Sequence, residues 1–349
     1  METEERNASR SIEIWLWLSA ALVFLMIVVG GATRLTDSGL SITEWKPILG
    51  AIPPLNDADW QAVFGKYKQI PEYHLVNKGM ALADFKFIFW WEWSHRLLGR
   101  LIGLVFAVPL FVFWWMGRIR EGLAPTLLGL LLLGGLQGAI GWYMVSSGLS
   151  DRVDVSQYRL ALHLSVAFAI LSLLVWLALD ERAHRLGFSR EDVASRVRRL
   201  AVILVALVFA QVALGAFVAG LKAGLVYNTW PSMNRQFVPS DYWTGGRGLL
   251  SMFESHAATQ FNHRLTAYVL LIAAVAQAWF AYSSPTGSRA CFSALVLAGA
   301  VVVQASLGIW TLLAHVPLSL GLMHQGGAAI VMALAIWHLH ETRKLSSRP

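Results

Sequence analysis

Long apolar runs separated by short polar links dominate the chain from about residue 13 to about residue 340. A helix needs about 20 mostly apolar residues to cross the hydrocarbon of a bilayer, and the pattern predicts eight such spans, at roughly 13–33, 89–116, 123–146, 159–180, 197–220, 258–282, 290–313 and 317–340. The links after even-numbered spans carry Arg118, Arg120, Arg182, Arg185, Arg190, Arg196, Arg198, Arg199 and Arg289, and the tail adds Arg343, Lys344 and Arg348. Cytoplasmic segments carry the excess of Lys and Arg, so both termini are predicted to be cytoplasmic, with long outer segments at about 34–88 and 221–257. Glu2, Glu4 and Glu5 precede the first apolar run without a short signal core or a small-residue cleavage site, so the first span is read as uncleaved. Trp45, Trp60, Tyr67, Trp230, Tyr242 and Trp243 in the outer segments are expected to be interfacial anchors or a lid, with no chemistry of their own.

Composition points the same way. Of 349 residues, 56% are hydrophobic and 14% charged, whereas soluble domains approach a quarter charged. The net charge of +7 then records topology and contact with anionic membrane lipid, and nucleic acid is not expected as a partner. The single cysteine, Cys291, excludes an intrachain disulfide, a cysteine-based zinc site and an iron–sulfur cluster. Any redox chemistry must come from something bound.

The chain also repeats itself. Gly30, Gly39, Leu40 and Trp45 recur with unchanged spacing as Gly215, Gly224, Leu225 and Trp230. His95, Arg96 and Leu97 recur as His263, Arg264 and Leu265. Gln137 and Gly141 recur as Gln304 and Gly308, and His163 and Trp176 as His324 and Trp337, so the order never breaks. Because each half holds an even number of spans, the halves are parallel repeats about an axis along the membrane normal. The predicted fold is an all-α integral membrane protein whose eight transmembrane helices form two pseudo-twofold-related four-helix bundles, one over 1–190 and one over 191–349.

Four histidines fall at repeated positions. His95, His163, His263 and His324 lie one to two turns from the predicted outer start of an even-numbered span, at a common depth of roughly 5–10 Å. Each bundle then offers two imidazoles. Zinc usually takes four ligands and a di-iron site needs several buried carboxylates; haem needs only one or two axial ligands and is apolar enough to fill the space between helices. Paired haem ligation therefore fits best. Arg96, Arg100 and Arg264 are candidate partners of haem propionates, the alternative being that they snorkel to lipid headgroups. Gln137 and Gln304 either donate to haem or join helices. His74, His184, His256, His315, His338 and His340 have no such pattern.

The halves differ at one acid. Glu92 lies three residues before His95, on the same helical face, and the matching residue of the second half is Gln260. Glu92 either pairs with a neighbouring arginine or stands at the haem edge, where it can accept a proton or stabilise positive charge. A reactive pocket beside a plain one is the reading that this asymmetry favours.

The segments WEWSHRLLGR around His95, QFNHRLTAY around His263 and GGATRLTDSGLSITEWKP after the first span, with the paired His163 and His324, resemble the haem A synthase family over essentially the whole chain. The resemblance implies an oxidoreductase that converts haem O to haem A for cytochrome oxidase, by two successive oxidations of one ring methyl to a formyl group. It implies that His95 and His163 bind the substrate haem, that His263 and His324 hold a resident haem b, and that Glu92 serves the oxidation. It further implies a bacterial inner membrane, haem sites toward the outer face, haem O delivered by a haem O synthase, and an electron acceptor or donor. A homo-oligomer is compatible with it. Some relatives carry a cysteine pair in an outer loop; this chain has none there, like the cysteine-poor branch. Two rivals use the same histidines: a di-haem b-type electron carrier, and a transporter with histidine proton relays, which would need broken helices and a polar midplane.

Overall fold

A computed structural model describes residues 2–150, 152–188, 192–243 and 246–343, with side chains from Ser9 onward. Arg190, Lys344 and Arg348, and the side chains of Glu2, Glu4 and Glu5, lie outside the described residues. The α-helices are α1 (Glu2–Leu35), α2 (Asp57–Tyr67), α3 (Pro71–Leu75), α4 (Leu82–Trp115), α5 (Leu123–Ser146), α6 (Gln157–Leu186), α7 (Ser195–Gly220), α8 (Ser251–Glu254), α9 (His256–Ser283), α10 (Ser288–Leu313) and α11 (Leu318–Glu341). Among the described residues, eight helices (α1, α4–α7 and α9–α11) are long and apolar enough to cross a membrane, as the hydropathy pattern predicts. The only β feature among them is an isolated bridge between Met233 and Gln236.

The chain forms two compact units, Met1–Ala21 with Phe168–Pro349, and Leu22–Ala167. In the first unit α7 packs on α9, α9 on α10, α10 on α11 and α11 on α7, which closes a four-helix ring. Ala201, Ala216, Ala274, Ala294 and Ala329 lie on the buried faces, and such small residues let apolar helices approach closely where the hydrophobic effect gives no drive. Ile272 and Val303 are exposed, the expected state of a lipid-facing surface. At one end of this unit buried polar groups gather. His338 lies between Gln277 (2.6 Å) and Ser293 (2.9 Å), His340 faces Asp180 at 3.6 Å, and Arg185 donates to Glu13 at 2.8 Å.

In the second unit α4 packs on α5 and on α2. Helix α2 starts where Asn56 accepts from the Asp59 N–H (2.9 Å), with Asp57 and Asp59 in the first turn, so a cap and two negative charges meet the positive end of the helix. Its Trp60, Phe64 and Tyr67, at i, i+4 and i+7, form one apolar face. That face is buried against Phe85, Ile88 and Phe89, each such side chain contributing about 1.5–3 kcal/mol by leaving water. This docking explains why α4 starts at Leu82 and not at 89: the loop supplies its own cover for two extra turns. The aromatics of these loops pack within their units. Trp45 stacks on Trp142 at 5.7 Å, and in the other unit Trp230 donates to the Tyr268 hydroxyl at 3.0 Å and Tyr242 to Asn262 at 3.0 Å.

Candidate functional site

Each of the four repeated histidines lies against a glycine of a facing helix. A Cβ added at Gly30 would sit 3.0 Å from His95 Cε1, at Gly141 3.0 Å from His163 Cε1, at Gly215 3.1 Å from His263 Cε1, and at Gly308 2.7 Å from His324 Cε1. Only a residue without Cβ leaves the ring that place. His163, His263 and His324 fall at the second turn of helices that open at Gln157, His256 and Leu318, whereas His95 lies deeper in a helix that opens at Leu82. The two extra turns of α4 account for the difference.

In the first unit the His263 and His324 ring centroids are 6.4 Å apart with planes at 83°. A metal–nitrogen bond of about 2.0–2.1 Å on each side, plus ~1.1 Å from nitrogen to ring centre, puts two imidazoles that share one metal in line about 6.3 Å apart. The separation is one that would let His263 and His324 hold a single metal between them. In the second unit the Nδ1 atoms of His95 and His163 are both buried without a partner. Among the described residues no three His, Cys, Asp or Glu side chains converge on a bare metal-ion site. Two imidazoles, a glycine-lined cradle and apolar helices suit a haem and not a four-ligand ion.

The carboxylate of Glu92 is buried and fully engaged. Its Oε1 accepts from Arg96 Nε (3.1 Å) and Nη2 (2.6 Å), and its Oε2 from Ser41 Oγ (2.7 Å) and the Ile42 N–H (2.7 Å). Arg96 also donates to the carbonyls of Glu44 (2.9 Å) and Ile42 (2.8 Å). The second half repeats this clamp with one change. Arg264 donates to the carbonyls of Thr229 (2.9 Å) and Tyr227 (2.8 Å), the residues that match Glu44 and Ile42 in the repeat, and to Gln260 Oε1 (3.0 Å). Where Glu92 accepts from two loop donors, Gln260 Nε2 donates to the Ala223 carbonyl (2.9 Å). Acid against donors and amide against an acceptor are each matched to the loop that they hold.

Arg96, Arg100 and Arg264, the residues expected near haem propionates, each donate to backbone carbonyls. Arg100 donates to the carbonyls of Pro47 (2.7 Å) and Lys46 (3.0 Å). Only Arg100 Nη1 and Arg264 Nε are buried without a partner in these two side chains. These arginines hold segments 42–47 and 227–229 to the histidine-bearing helices. Gln137 and Gln304 join helices: each Nε2 donates to a histidine carbonyl, His163 (2.9 Å) and His324 (2.7 Å).

Gln211 escaped the sequence reading and does the same for His263 (3.1 Å). The signal was present, since Gln211 precedes Gly215 by the spacing that separates Gln137 from Gly141 and Gln304 from Gly308. His74 and His184 lie on α3 and near the end of α6, His256 opens α9, and His315 follows α10; none joins either pair.

Against known proteins, residues 13–336 match the model of a family described as cytochrome oxidase assembly protein, COX15-CtaA. The chain is 51% identical over 334 residues to the heme A synthase of Parvibaculum lavamentivorans, covering 96% of this chain and 95% of that one. It is 52% identical over 340 residues to the heme A synthase of Maricaulis maris (97% and 98% covered) and 48% over 334 residues to that of Brucella ovis (96% and 92%).

Proposed function

The chain belongs to the cytochrome oxidase assembly protein family, COX15-CtaA, and from that premise we propose that it is a haem A synthase. It is an oxidoreductase that oxidises a methyl group of haem O to a formyl group, giving haem A for cytochrome oxidase. The observation that carries the site assignment is the fourfold histidine–glycine packing, with the His263 and His324 rings 6.4 Å apart, where both would reach one iron between them.

In this reading His95 and His163 hold the substrate haem O, and His263 and His324 hold haem b. Bound there, haem b supplies an iron centre able to pass single electrons. The chain's own residues bind and orient. The glycines leave each imidazole room against the facing helix. The arginine clamps fix the outer segments 42–47 and 227–229 over the helix ends. Glu92, one turn from His95, keeps a carboxylate whose charge is paired with Arg96 and whose oxygens are all engaged; placed there, the pair would lower the cost of positive charge developing beside the substrate haem. Its lone pairs are committed, which favours the role of electrostatic stabiliser over that of proton acceptor. Gln260 leaves the second pocket without that charge, as suits a site that does no chemistry.

The bundles over 1–190 and 191–349 divide the labour, one for substrate and one for haem b. The arginine pattern supports cytoplasmic termini and haem sites toward the outer face of a bacterial inner membrane. The partners of this reading are a haem O synthase that delivers the substrate, an electron acceptor or donor, and membrane lipid. Expression with a haem O supply, purification, and identification of the extracted haems by chromatography and mass tests it. Haem A or its hydroxymethyl precursor alongside haem b is the expected result. Haem b in both pockets despite abundant haem O would replace the synthase with an electron carrier.

A further inference from the structure

Four residues before each glycine that backs a histidine, three helices carry glutamine and the fourth does not: Gln137, Gln211 and Gln304 precede Gly141, Gly215 and Gly308, but Met26 precedes Gly30. Each glutamine grips its histidine twice. The Nε2 donates to the histidine's own carbonyl at 2.7–3.1 Å, and the same nitrogen lies 3.0–3.5 Å from a ring nitrogen. The Oε1 of all three carboxamides is buried without a partner. A carboxamide that is anchored on the histidine's own backbone and lies against its ring limits the swing of that ring, as outer-shell partners of ligating histidines do.

Met26 can do neither. Its Cε lies 3.5 Å from the Cβ position of Gly99, one turn beyond His95, and a thioether donates nothing. The Nδ1 of His95 is buried without a partner, and the polar neighbours on α4 are committed elsewhere, Glu92 and Arg96 to each other and to the outer strap. His163 Nδ1 also lacks a partner, but the Gln137 carboxamide stands beside that ring.

We propose that Met26 makes His95 the yielding ligand of the four. The pocket of His95 and His163 takes up and releases haem by letting the His95 imidazole swing, whereas the pocket of His263 and His324, gripped by glutamine on both sides, retains its haem. The proposal rests on the reading that each pocket takes a haem, and it fits the division of labour. A substrate pocket must empty at every turnover, and a resident pocket must not.

The test uses the full-length protein loaded with ferric haem b as the probe in both pockets, with transfer to excess apomyoglobin followed by absorbance. Wild type should release haem in two phases, the fast one absent in His163→Ala. Met26→Gln should slow the fast phase about tenfold, the lower end of what outer-shell partners contribute at metal sites, and should sharpen the low-spin signal of that pocket in electron paramagnetic resonance. Gln211→Met should speed the slow phase, and it carries the test if Met26→Gln does not fold. A single phase in wild type, probe uptake by one pocket only, or phases that neither substitution moves would overturn the proposal. Haem A formation with unmoved exchange rates would sink this inference alone; altered exchange in a protein that makes no haem A would sink the synthase reading alone.

Discussion

Gly308→Ala gives the most direct test of the histidine–glycine packing. Its Cβ would lie 2.7 Å from His324 Cε1, 3.3 Å from Nδ1 and 3.4 Å from Nε2. Carbon atoms rest at about 3.5–4.0 Å, so the ring must retreat by about 1 Å. The obstacle is the far end of a side chain, so the imidazole turns and the helices stay in place. Strain from one added methyl group in a packed site costs about 1–3 kcal/mol, and at 1.4 kcal/mol per decade this predicts a loss of haem affinity of about 5- to 150-fold in the His263–His324 pocket. Haem content per polypeptide, by pyridine haemochrome after purification, and the low-spin signal in electron paramagnetic resonance measure it, with circular dichroism to show that the fold persists. Gly299→Ala on the same helix is the control, because its Cβ would meet nothing within 4 Å, and it should keep its full haem complement. A Gly308→Ala protein with full haem and an unaltered spectrum would refute the reasoning.

The Arg clamps predict reciprocal effects at the acid–amide pair. Glu92→Gln sets an amide either against the Ser41 and Ile42 donors or against Arg96, and breaking a buried ion pair costs about 3–5 kcal/mol; hydrogen exchange in residues 41–46 should rise and first-pocket haem binding should fall at least tenfold. Gln260→Glu places a carboxylate against the Ala223 carbonyl and should loosen residues 223–229 in the same assay; unchanged protection in both variants would mean that the straps do not depend on this pair. Glu44 titrates below its ordinary 4.5, chiefly because Lys66 donates to it. Its contribution to holding the outer loop is therefore present above that ordinary value and lost as pH falls through the lowered one, so protection of residues 44–67 should decline only in that acid range, and Glu44→Gln should abolish the step. Tyr227, hydrogen-bonded to Asp241, is pushed up to about 12; ultraviolet titration should find its phenolate late, and Asp241→Asn should return it toward 10.

The eight spans and the repeat of His95, His163, His263 and His324 were legible in the sequence, because apolar length and periodic recurrence are properties of the chain itself. The glutamine–glycine spacing was equally local, and Gln211 could have been found by it. What could not be read were the partners of polar side chains. Arg96, Arg100 and Arg264 have the chemistry to bind propionates, but each meets backbone carbonyls that lie roughly 35–55 residues earlier in the chain, brought within reach only when the outer segments fold back onto the helices. The early start of α4 likewise depends on Trp60, Phe64 and Tyr67 covering Phe85, Ile88 and Phe89. Hydropathy is additive along a segment and so survives in one dimension. A hydrogen bond's partner, or the cover of an apolar face, is decided by which distant group arrives there, and only the tertiary structure decides that.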